Sequence, residues 1–77
     1  SQNLKRNDYS VIEKLKAAIQ ENPNDSESYK QLGMILAAQG KRQGAILYLE
    51  RAKELFEDQG NTEQAEFMNQ IIRNLIK

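Results

Sequence analysis

One proline in 77 residues, at position 23, and apolar side chains that return every third or fourth place leave this chain little room to be anything but helical. A helix turns 100° per residue, so this spacing gathers apolar groups into one stripe; a strand would need alternation at period two, which no segment sustains. Four stripes can be read. Residues 8–21 carry Val11, Ile12, Leu15, Ala18 and Ile19, with Asp8 placed to accept an orphan backbone N–H as an N-cap. Asn22-Pro23-Asn24-Asp25 ends that segment, since proline removes a donor and disfavours helical geometry at the residue before it. A second helix over 26–39, capped by Asp25 or Ser26, sets Tyr29, Leu32, Gly33 and Leu36 on one arc and stops at Gly40, which is free to adopt φ > 0. The third, 42–58, carries Ala45, Ile46, Leu49, Ala52, Leu55 and Phe56 and ends at Gly60. The fourth, 62–76, carries Ala65, Met68, Ile71, Ile72, Leu75 and Ile76; Asn61 can cap it, and Gln64 stands where a capping-box partner would. Joining segments of a few residues make consecutive helices antiparallel neighbours, so the expected fold class is all-α: antiparallel helix-turn-helix hairpins, about four helices.

So short a chain is one domain, 1–77, that buries only about 60% of its unfolded surface. Its inventory argues against several functions. Eleven basic and eleven acidic residues cancel, whereas neutralising phosphates needs a positive excess, so neither nucleic acid nor an anionic membrane is expected as a partner. The doublets Lys5-Arg6 and Lys41-Arg42 read as solvated surface. No cysteine means no disulfide and no thiolate metal site, and no histidine removes the commonest general base and metal ligand. Glu50, Glu54 and Glu57 follow one helix face, but helix-borne metal carboxylates normally come with a Glu-x-x-His, so these read as a solvated acidic face. The four glycines are scattered, with no phosphate loop among them; Gly44 simply costs helix stability. The chain is expected to be no enzyme and to need no cofactor or metal. No stretch approaches the ~20 apolar residues of a membrane span, no signal-peptide core is visible, and a cytoplasmic location is expected. Beginning at Ser1, the sequence reads as a fragment or processed form. Glu13–Lys16, Glu27–Lys30 and Lys53–Glu57 have favourable surface spacings.

Displaced by 34 residues, the chain meets itself: Ile12 falls on Ile46, Leu15 on Leu49 and Ala18 on Ala52. A period of this size signals stacked supersecondary units. Tyr29-x2-Leu32-Gly33-x2-Leu36, then Ala45-x3-Leu49 and Ala52, resembles the tetratricopeptide repeat, whose pattern is W-x2-L-G-x2-Y followed by A-x3-F, A and a closing proline. Pro23 stands where the closing proline of a preceding repeat belongs. The resemblance implies a right-handed solenoid fragment: residues 8–22 as the second helix of a preceding repeat, 26–59 as one full repeat and 61–77 as a capping helix. Gly33, Ala45 and Ala52 would let the two helices of the pair approach closely. Glu57 replaces the closing proline, so the third helix should run past it, and residues 60–77 lack the Leu-Gly pair of a new repeat.

The resemblance also implies what the chain does: a protein–protein interaction module or scaffold that holds a peptide or a partner's helix in a shallow concave groove lined by the first helices of successive repeats. Here those are the second and fourth helices. The arc of the second that faces away from its stripe carries Glu27, Lys30, Gln31, Met34 and Ala38, and the polar arc Glu66, Gln70 and Arg73 of the fourth is the expected facing wall. Met34 suits an adaptable binding surface; its alternative is packing against the first helix. Some relatives grip a C-terminal carboxylate with a Lys, Asn and Arg clamp. Lys30 matches one position of it, but Met34 stands where the Asn should be. The alternative function is a self-associating assembly domain. The first helix lacks the neighbour a full repeat would give it, so a homodimer through the face of residues 8–22 is expected of the isolated chain.

Overall fold

The structure, a computed structural model, describes the backbone of residues 2–77 and the side chains of residues 9–77. Four helices follow one another: α1 (Gln2–Glu21), α2 (Ser26–Ala38), α3 (Arg42–Asp58) and α4 (Thr62–Ile76). Three of them lie where the apolar stripes and their punctuation put them, and α3 does run past Glu57. The first differs. It begins at Gln2, so Asp8 lies inside the helix and is not its N-cap. Residues 2–7 hold neither glycine nor proline, and extending an existing helix fixes one residue per hydrogen bond gained. The side chains of Leu4, Lys5, Arg6 and Asp8 lie outside the described residues.

The helix ends are satisfied locally. Asp25, not Ser26, caps α2: one carboxylate oxygen accepts the Ser28 amide at 3.1 Å and the other accepts the Ser28 hydroxyl at 2.7 Å. Asn61 caps α4 by accepting the Gln64 amide at 3.2 Å. The Gln64 side chain does not complete a capping box, because it is drawn to Lys30 instead. At the other ends, α2 and α3 finish alike. Gly40 and Gly60 take φ of 78° and 77°; each donates to the carbonyl three residues back (Ala37, Glu57), and the next residue donates to the carbonyl five back (Leu36, Phe56). This is the paired closure of a helix C-terminus that a left-handed residue permits.

Packing is sequential: α1 lies on α2, α2 on α3, and α3 on α4. The buried core is built from Ala45, Leu49, Ala52 and Phe56 of α3 with Ala65, Met68 and Ile72 of α4, while Leu32 is the fully buried side chain of α2. The closest approach is at Gly33. A Cβ there would stand 2.7 Å from Leu49 Cγ and 3.2 Å from the Ala45 carbonyl oxygen, inside carbon–carbon contact, so the position has to be glycine for α2 and α3 to sit this close. Tyr29 and Tyr48 meet across the same interface, ring centres 6.1 Å apart and tilted by 37°. The turns are stitched too: the Ser26 hydroxyl donates to Gln59 Oε1 at 3.0 Å, and Gln59 Nε2 donates to the Asn24 carbonyl. The expected Glu27–Lys30 pair forms at 3.4 Å, but Lys53 reaches Asn69 of α4 rather than Glu57. Among the described residues no helix is long and apolar enough to cross a membrane.

Candidate protein-binding surface

Two antiparallel packings in succession make α2 and α4 run parallel, and side chains one repeat apart then meet. Lys30 and Gln64 are separated by 34 residues, and the Lys30 ammonium donates to Gln64 Oε1 at 2.9 Å. The same ammonium lies 6.0 Å from the centre of the Phe67 ring and 3.4 Å from Glu27. Lys30 is thus half-buried between the two helices, held by a carboxylate, an amide and an aromatic face. Its charge is already answered within the fold. That fits poorly with a free ammonium waiting for a carboxylate.

Around this contact, Met34 of α2 is 40% exposed and Phe67 of α4 is 41% exposed, and Ile71 is half-buried beside the core. Glu27, Gln31 and Ala38 are exposed on α2, as expected of an arc turned away from its stripe. Met34 is not packed away under α1.

On α4 the contacts with α2 fall on a different arc from the expected wall. α4 meets α2 through Gln64 and Phe67, which share an arc with Ile71. Glu66, Gln70 and Arg73 are exposed on an arc roughly 120° further round, at 100° per residue, and do not face α2. Phe67 is an aromatic side chain lying off the apolar stripe, where burial in the core does not account for it.

Elsewhere on the molecule, a concavity of about 610 Å³ opens between α1 and the α2–α3 pair, with Tyr9, Ile12 and Lys16 on one side and Leu36 and Tyr48 on the other. Glu50, Glu54 and Glu57 are all exposed on α3, and Arg51 pairs with Glu54 at 3.4 Å.

A stack of short antiparallel helices, with small residues at the closest approach and equivalent positions touching 34 residues apart, defines a helical-repeat protein. The tetratricopeptide repeat family profile matches residues 14–67, from within α1 to within α4, and the chain belongs to that family. No curated protein and no solved structure matches the chain. The family's repeats are, in general, non-catalytic modules that bind proteins or peptides.

Proposed function

We propose that the chain is a protein-interaction module whose α2–α4 face holds an extended peptide or partner segment by an apolar anchor. The observation that carries this reading is the exposure of Met34 on α2 and of Phe67 on α4, the two helices that Lys30 bridges. An exposed thioether on one helix and an exposed aromatic ring on the other offer an adaptable apolar seat. Lys30, Glu27 and Gln31 supply a polar rim, and Ala38 leaves space at one end. Glu66, Gln70 and Arg73 fall outside the seat in this reading.

The test is a peptide-display selection against the immobilised chain, with counter-selection on Met34→Glu and Phe67→Glu variants. Peptides with an aliphatic or aromatic anchor, bound by the parent chain and lost by both variants, are the expected result. Enriched peptides that bind all three proteins equally would place the site on another face. A homodimer through residues 8–22 would use a separate surface, where Val11 is 40% exposed. Sedimentation velocity at micromolar concentration separates that dimer from a monomer.

A further inference from the structure

The concavity of about 610 Å³ between α1 and the α2–α3 pair is lined by two kinds of chemistry. Its apolar part comes from all three helices: Ile12 of α1, Leu36 of α2 and Tyr48 of α3 are each half-buried, with Tyr9 exposed beside them. The Tyr48 ring also meets the Tyr29 ring, 6.1 Å between centres, which fixes that wall. The charged part sets two ammonium groups, Lys16 and Lys41, against one carboxylate, Glu13, in a chain whose formal charge is zero. Glu13 and Lys16 have the spacing of an ion pair and do not form one: the ion pairs among the described residues are Glu27–Lys30 and Arg51–Glu54. Lys16 and Lys41 thus line the concavity with no carboxylate partner among those residues. This polarity belongs to the place and not to the repeat. One repeat further on, a depression of about 570 Å³ on α3 and α4 has Glu50 where the first has Lys16, and there Glu50, Glu54 and Glu57 outnumber Arg51 and Lys53.

We infer that this concavity binds a small amphipathic carboxylate, with its acyl or aryl body on Ile12, Leu36 and Tyr48 and its carboxylate at Lys16 and Lys41. A hollow of this volume, walled by three helices, falls within the range of small-molecule sites, about 300–1,000 Å³. Such sites are lined mainly by apolar and aromatic side chains, with a few polar groups that set the ligand's orientation. Charge decides between an acid and an amine of the same body: with two cations to one anion, a carboxylate is attracted where an ammonium is repelled. Both lysines are exposed, so each adds little, and the apolar body supplies most of the affinity.

The experiment follows the backbone amide NMR signals of the full, isotope-labelled chain during titration with decanoate, below its micelle concentration. Saturable shifts grouped around Ile12, Leu36 and Tyr48 are expected, with a Kd on the order of 1 mM, and 2-naphthoate should move the same signals. Lys16→Glu combined with Lys41→Glu changes two exposed side chains outside the core, so the remaining spectrum reports an intact fold. That double variant should bind decanoate about tenfold more weakly and decylammonium more tightly than the parent chain does. Shifts that stay linear up to the micelle limit would overturn the inference, as would saturation around Met34 and Phe67 instead. So would decylammonium bound by the parent chain as tightly as decanoate, or a double variant that binds decanoate unchanged. The α2–α4 seat shares none of these lining residues, so failure here leaves that reading standing.

Discussion

α1 and α3 carry Ile, Leu and Ala at the same three places one repeat apart, and their surroundings treat these residues differently. Ile12 and Ile46 are both half-buried. Leu49 and Ala52 are sealed from solvent, whereas Leu15 and Ala18 are only half-buried. The residues are the same; the neighbours are not. Among the described residues α3 is packed between α2 and α4, while α1 packs chiefly on α2. An apolar stripe therefore states which face a helix offers, and stacking decides how much of it is covered. The polar replacements agree: α1 sets Lys14 and Glu21 where α3 sets Tyr48 and Leu55.

The sharpest way to break this comparison is to truncate the matched leucines. Leu49→Ala removes a fully buried side chain and is expected to cost about 2–5 kcal/mol; Leu15→Ala should cost less than half as much. Urea unfolding of the two variants, giving equal losses, would show that α1 is as well covered as α3. Next come changes at the close approach that seals α3. Gly33→Leu and Ala45→Leu should each lose about 1–3 kcal/mol, because the new side chain meets Leu49 or α2 with no space to enter. Thermal melts within a degree or two of the parent would refute that packing.

A cap change addresses the joint that holds α1 to the rest. Asp25→Ala removes two hydrogen bonds to Ser28 and should cost about 1 kcal/mol, read by the midpoint of chemical unfolding; no change would mean that the α2 start is held by tertiary packing alone. The smallest effect is of opposite sign. Gly44 is helical, and a Cβ there would meet only Leu36 Cδ1 at an ordinary 3.5 Å, while α1 already carries Ser10 at the equivalent place. Gly44→Ala should stabilise by up to about 1 kcal/mol, and a lower melting temperature would show that the room is not there.

Much of this fold was legible because its punctuation is chemical. Asp25, Gly40, Gly60 and Asn61 mark ends that the backbone obeys, and the small residues Gly33, Ala45 and Ala52 mark the tightest contact. The start of α1 was not legible, since residues 2–7 carry no breaker and a cap-competent aspartate inside a helix looks like one at its start. The candidate surface was half legible. On α2, a helix with its core on one side, the outward arc is the remainder after the stripe is removed. α4 meets both α3 and α2, so its surface has three kinds of position, and a two-way division into apolar and polar arcs singles out Glu66, Gln70 and Arg73 while passing over Gln64 and Phe67, which meet Lys30.

The two glycine turns carry a stereochemical consequence. At Gly40 and Gly60 no neighbour lies within 4 Å of where an L-residue's Cβ would be, so crowding does not exclude a side chain there. What excludes it is handedness, for both backbones turn through the region that mirror-image residues prefer. A chain of this length can be assembled by chemical synthesis, and D-alanine at either turn would suit the backbone as drawn while restricting the unfolded chain more than glycine does. The pair of turns thus acts as two chirality selectors: L-alanine should loosen the stack, and its mirror image, of identical composition, should tighten it.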